Sequence, residues 1–219
     1  MSSVKIIQQT THQNKELFVY ELKQSNGSTA VISNYGGILM SLLMPDKDGL
    51  IRDVVLGFDK VEQYWSEEYL ENYPYFGAVI GRYANRIKGG SFVLENKEVI
   101  LSKNIGENIL HGGFEGFDKK VWEVIEVKEG NECSLMLQYI SEDGEEGFPG
   151  KLITRIRFEL FEKELKYSID AFCDKATAIN LTYHPYFNLD INKAKIDKQQ
   201  AKIYSDYWLE QDEDFCTTG

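Results

Sequence analysis

Apolar and polar side chains alternate with a period of two over long stretches, and this alternation restricts the chain more than any other feature. Ile156, Phe158 and Leu160 alternate with Arg155, Arg157 and Glu159. After Glu162-Lys163-Glu164, the residues Leu165, Tyr167, Ile169, Ala171 and Cys173 resume on one face. A helix would scatter these residues around its circumference, whereas a strand places every second side chain on the same side, so the pair predicts a β-hairpin. Val121, Glu123, Ile125 and Val127 share a face of another expected strand, and Leu135, Leu137 and Tyr139 share one of a third. Turn chemistry separates the runs: Pro45-Asp46-Lys47-Asp48-Gly49, Glu95-Asn96-Lys97, Glu129-Gly130-Asn131, and Asp143-Gly144 leading to Gly147-Phe148-Pro149-Gly150. Many short strands at this spacing predict an all-β fold, an antiparallel sandwich or barrel. The helical signal is slight. Asp59-Lys60-Val61-Glu62 can cap one short helix, and Asn192 to Lys198 can form a turn or two.

Composition narrows the function classes. A chain of 219 residues can bury roughly 70% of its unfolded surface, and without a repeat, low-complexity tract or linker-like shift, a single domain over residues 1–219 is expected. Lys and Arg number 24 against 35 Asp and Glu, a formal charge of −11. No basic block could follow a phosphate backbone, so nucleic acid is not an expected partner. The first residues lack a signal-peptide pattern and no apolar run approaches the ~20 residues that span a bilayer, so no membrane association and a cytoplasmic location are expected. Cys133, Cys173 and Cys216 are odd in number and far apart. They predict reduced thiols and neither a disulfide framework nor a metal site.

Three histidines, His12, His111 and His184, invite separate weighing. His12 lies in a polar N-terminal stretch and reads as a solvated loop residue. His111 precedes Gly112-Gly113, which can adopt positive φ and let backbone approach a ligand; a strand-end turn whose histidine caps backbone is the other reading. His184 sits in NLTYHPYFNL, where Pro185 biases it toward extended geometry at a strand end facing a cleft. There it could titrate near neutral pH, or be a core imidazole bonded to a carbonyl. In GRYANRIKGG, Arg82 and Arg86 flank Asn85; guanidinium forks suit polyhydroxylated or anionic ligands, and a buried one needs partners.

Taken in order, these stretches resemble the aldose 1-epimerases, or galactose mutarotases. The matching segments are SNYGGILMSL at 33–42, DVVLGFD at 53–59, YFGAVIGRYANRIKGGSF at 75–92, ENILHGGFEGFDKKVWE at 107–123, SEDGEEGFPG at 141–150 and NLTYHPYFNL at 180–189. The resemblance runs from about Ser33 to the last residue. It implies a large antiparallel β-sandwich, the family's supersandwich, incomplete at its C-terminus.

The resemblance also implies a chemistry: interconversion of the α and β anomers of free hexoses such as galactose and glucose, with no cofactor and no metal, the partner being the small aldose itself. A base removes the C1 hydroxyl proton while an acid protonates the ring oxygen, the ring opens, the aldehyde turns about C1–C2 and the ring recloses. The acid falls on His184, with His111 assisting by hydrogen bonding. Asn85, Arg86 and Tyr186 hold hydroxyls, and Arg82 reverts to a structural role. The general base is expected beyond Gly219. Glu142, Asp143, Glu145 and Glu146 read as a solvated turn rather than as its substitute. Tyr183 stands where the family usually has asparagine, which bears on how the imidazole is oriented. A non-catalytic sugar-binding remnant is the alternative.

Overall fold

The computed structural model describes residues 2–130, 132–190 and 195–218. Five consecutive strands make a first antiparallel sheet in chain order: β1 (Ser3–His12), β2 (Lys15–Lys23), β3 (Thr29–Ser33), β4 (Leu39–Pro45) and β5 (Ile51–Asp53). Gln13 and Asn14, both at positive φ, join β1 to β2 in a two-residue turn whose twist matches the strands. Asp46 closes the β4–β5 connection, its carboxylate accepting from the backbone N–H of Asp48 and Leu50.

The middle of the chain is built from short pieces: the helix α1 (Glu67–Glu71), then β6 (Val79–Ile80), β7 (Arg86–Ile87), β8 (Ser91–Leu94), β9 (Lys97–Ile100) and β10 (Ile109–Leu110). The second large sheet follows, again in chain order: β11 (Glu123–Lys128), β12 (Cys133–Ser141), β13 (Leu152–Leu160) and β14 (Leu165–Cys173). The last strand, β15 (Thr182–Tyr183), returns to pair with β6.

The alternation predicted the sandwich because each sheet buries one face. Leu22, Ile32 and Leu42 of the first sheet join Leu135, Leu137, Ile156 and Phe158 of the second in one cluster, the arrangement expected of stacked sheets. The expected hairpin is present, with Leu160 opposite Leu165. Its second strand is an edge, so Leu165 and Ile169 pack on the core while Tyr167 and Phe172 are exposed. The face expected from Val121, Glu123, Ile125 and Val127 is not a continuous core face. The register slips between Val124 and Glu126, Val124 packs inward, and Ile125 and Val127 are exposed.

The helix signal at Asp59 leads to a 3₁₀ turn at Val61–Trp65, followed by α1. Gln63 Oε1 accepts from the Lys60 backbone N–H, and Ser66, not Asp59, caps α1 by accepting from Tyr69 N–H. Of the stretch Asn192 to Lys198, residues 192–194 lie outside the described residues and Asp197-Lys198 form a turn. Among the described residues no helix is long and apolar enough to cross a membrane, and the three cysteines are unpaired.

Arg82 fastens the middle segment to the second sheet. It is 2% exposed, and its guanidinium donates to the carbonyls of Pro149, Gly150, Ser141 and Glu142 and to Ser141 Oγ. Five acceptors converge on one charge, which satisfies buried carbonyls that the turn after β12 would leave exposed to nothing. The expected structural role of Arg82 is thereby accounted for. Arg82→Met, measured by urea denaturation, is expected to lower the unfolding free energy by about 3 kcal/mol, the order expected when several buried acceptors lose their donor. A loss below about 1 kcal/mol, the worth of one ordinary hydrogen bond, would show that the turn holds without it.

Candidate active site

His184 follows directly on β15. Its backbone N–H donates to Ala78 O at 2.9 Å and its carbonyl accepts from Gly77 N–H at 3.0 Å, so the main chain is held while the ring projects among aromatics. His111, Tyr186 and Tyr75 lie around the imidazole with ring centroids 5.6, 5.2 and 6.0 Å away. Among the described residues no carbonyl or carboxylate hydrogen-bonds this ring, which removes the reading of a satisfied core histidine. Strand alternation sends the preceding residue the other way. Tyr183 is buried against Phe158 and Tyr167 and donates its hydroxyl to Gly37 O, so it belongs to the core and does not orient the imidazole.

His111 ends β10, which pairs with β7 so that Leu110 lies opposite Arg86. The two loops are tied by a reciprocal pair: His111 N–H donates to Asn85 O, and Asn85 N–H donates to His111 Nδ1, both at 3.0 Å. A ring nitrogen that accepts a hydrogen bond bears no proton, so the neutral ring has its N–H at Nε2. Burial, with His184 and the Arg86 cation adding to it, holds His111 near 4, below the usual 6.5. The residue is therefore a neutral donor at cellular pH. The expectation that Gly112 and Gly113 adopt positive φ is met. At Gly112 a Cβ would fall 2.0 Å from Gly81 O, so only glycine allows this approach.

Arg86, on β7, extends the site. Its Nη1 donates to Asn85 Oδ1 at 3.4 Å and its guanidinium lies over the Phe215 ring at 5.4 Å; most of its N–H donors meet no acceptor among the described residues. Tyr186 stands at the rim, 39% exposed. Asn85, Arg86, His111 and His184 thus come together, with Tyr186 beside them. Arg82, four residues before Arg86, is buried on the other side of the segment.

His12 departs from expectation. It ends β1 stacked on Trp65 at 4.2 Å and edge-on to Tyr35 at 5.2 Å, and burial lowers its pKa. It is a packed aromatic rather than a solvated loop residue, because β1 continues to His12 and turns back at Gln13-Asn14. The acidic turn is solvated only in part: Glu142 and Asp143 are exposed and pair with Lys151 and Lys175, whereas Glu145 and Glu146 are half-buried, Glu145 meeting Lys120 and the Tyr139 hydroxyl and Glu146 accepting from Glu115 N–H. Among the described residues no carboxylate is paired with either site imidazole, and no three metal-ligating side chains cluster. A separate groove of about 1010 Å³ lies between Met44, Arg52, Glu162 and Leu189 and includes neither histidine.

The arrangement brings together one imidazole whose ring has no hydrogen-bond partner among the described residues, one neutral N–H donor and one guanidinium. That set can give a proton to an oxygen while fixing neighbouring hydroxyls. A family model described as aldose 1-epimerase matches residues 19–219. The chain is 41% identical over 197 residues to galactose mutarotase from Bos taurus, covering 90% of this chain and 55% of that protein. It is 33% identical over 193 residues to aldose 1-epimerase from Escherichia coli K12, covering 88% and 54%. The crystal structure of galactose 1-epimerase from Lactobacillus acidophilus superposes with a TM-score of 0.75 at 28% identity, covering 86% of this chain and 54% of that one. That of the GalM/aldose epimerase homologue from C. elegans gives 0.76 at 29%, covering 91% and 59%. The chain spans about half the length of the curated relatives it matches.

Because the folded pKa of His111 is depressed, the folded chain binds fewer protons than the unfolded one between pH 6.5 and 4. Stability is therefore lost as pH falls through that window. In ¹⁵N-resolved NMR titrations His111 is expected to keep the Nε2–H tautomer from pH 8 down to about 5 and to titrate near 4. Titration at 6.5 would show that neither burial nor the Asn85 bond governs the ring.

Proposed function

Since the chain belongs to the aldose 1-epimerase family, we propose that the protein interconverts the α and β anomers of a free hexose, galactose or glucose, by acid–base ring opening. The observation that carries this reading is the pairing of unlike imidazoles 5.6 Å apart: a His184 ring without a hydrogen-bond partner among the described residues, and a His111 ring tied by Asn85 as a neutral donor.

In this reading His184 gives its proton to the ring oxygen as the C1–O bond breaks and takes it back on reclosure. His111 Nε2–H donates to the same oxygen or to a neighbouring hydroxyl, stabilising charge without changing its own protonation state. Arg86 and Asn85 hold vicinal hydroxyls through the guanidinium donors left free above, and Tyr186 borders the cleft. Fixing a sugar in this way can contribute several kcal/mol, because the groups that must meet are already oriented. The proton of the C1 hydroxyl needs a base on the far side, and that role is assigned to no described residue, since none of their carboxylates is paired with either imidazole. The chain acts as one domain, supported by the core that both large sheets share. A cytoplasmic site of action accords with three unpaired cysteines.

Galactose added to the labelled protein is expected to shift the His111 and His184 side-chain resonances, and Arg86→Gln to weaken that binding ~3–10-fold, as loss of a charged hydrogen bond implies. If saturating hexose leaves both imidazoles unmoved, the mutarotase reading fails. In polarimetry with freshly dissolved α-galactose, the 219-residue chain is expected to run ~10²–10⁴-fold below a relative with both acid and base, the worth of one proton-transfer group. Added formate, a diffusible base, is expected to raise the rate with His184 present and not with His184→Asn. A formate response unchanged in the variant would remove His184 from the acid role.

A further inference from the structure

Non-glycine residues at positive φ are uncommon, and a bulky one is a conformational outlier. In this chain Gln13, Asn14, Glu95 and Asn96 adopt such angles in two-residue hairpin turns, where the turn type demands it. Five others, Tyr75 at 58°, Asn85 at 66°, His111 at 52°, Glu146 at 52° and Phe215 at 60°, belong to no such turn. Tyr75, Asn85 and His111 among them border the site. Asn85 and His111 are explained by their reciprocal hydrogen bonds, and Tyr75 calls for an explanation of its own, since strain of this kind persists where surroundings over-determine it and gathers at functional positions.

The Tyr75 ring lies beside the two imidazoles and forms a triangle of rings with them. It meets His111 edge-on at 4.7 Å and 75°, and stands 6.0 Å from His184. Behind it, the Tyr73 ring packs edge-on at 4.5 Å, and the Tyr73 hydroxyl donates to Asp118 at 2.8 Å. Asp118 is 1% exposed, which anchors Tyr73 from the interior. The main chain is held as well: the Tyr75 carbonyl accepts from Ala78 N–H, and Gly77 N–H bonds the His184 carbonyl. One short segment therefore pins the His184 backbone and inserts a ring against His111.

We propose that Tyr75 is a positioning residue for His111, its ring packing edge-on against the imidazole and keeping water from it. This rests on the mutarotase reading only for its purpose; the packing itself is a property of the folded chain. Other groups that act on His111 are His184, the Arg86 guanidinium and the Asn85 N–H, and all of them persist when the Tyr75 ring is removed.

Two variants separate ring from fold. Tyr75→Phe keeps the ring against His111, and Tyr75→Asn removes it with a residue that tolerates positive φ, with folding verified by circular dichroism. The readout is the NMR titration of the His111 imidazole without sugar. Tyr75→Phe is expected to leave the pKa within ~0.5 unit of the parent protein, while Tyr75→Asn raises it by at least ~1 unit toward 6.5 as water reaches the ring. An unchanged titration in folded Tyr75→Asn, or a Tyr75→Phe protein that matches Tyr75→Asn, overturns the proposal. Galactose binding is then followed in the parent and in Tyr75→Phe. Failure of galactose to perturb the parent protein counts against the mutarotase reading alone, since the His111 titration still decides whether Tyr75 shields that ring.

Discussion

The hydrogen bond from the Asn85 backbone N–H to His111 Nδ1 is the constraint on which the rest of the site depends. It joins two loops distant in sequence, settles the tautomer and removes one of the two ring nitrogens from chemistry. With burial and the nearby Arg86 acting in the same direction, it makes His111 a donor that stays neutral. His184, 5.6 Å away, carries no such bond on its ring among the described residues. Two residues of one type thus stand in different settings, one bonded through its ring and the other only through its backbone.

That bond requires backbone geometry that regular strands cannot supply. Asn85 and His111 both take left-handed angles, and Gly112 follows where a Cβ would strike Gly81 O. Such conformations are unfavourable in isolation and are sustained by packing around them. Arg82 contributes by binding the same segment to the carbonyls of the turn after β12, and the β6–β15 pairing holds His184 alongside it. The two large sheets bury their apolar faces on one another and leave the short strands between them as a rigid mount.

Much of the fold was legible because burying one face of a strand writes a period of two into the sequence. The hairpin at Leu152–Cys173 and the inward set Leu135, Leu137 and Tyr139 follow directly from it. The reading failed where the period does not say which face is inward: Glu123, Ile125 and Val127 share the exposed side of β11 while Val124 packs on the core, and β1 extends far enough to stack His12 on Trp65. The candidate site was legible in the matched segments, which name Asn85, Arg86, His111 and His184. Tyr75 was not, since a tyrosine in a run of aromatics shows nothing of its φ angle.

By itself, therefore, the sequence determined the all-β class, the turns, the acidic character and the set of polar residues from which a sugar site could be built. These are local quantities, decided by side-chain type and spacing along one strand or turn. Tertiary structure alone decided which imidazole is tied through its ring, that Arg82 faces carbonyls while Arg86 lies over Phe215 near His111, and that Tyr183 belongs to the core. Each of those depends on what a second segment, dozens of residues away, places within hydrogen-bonding or packing distance, and spacing along a single chain does not encode that distance.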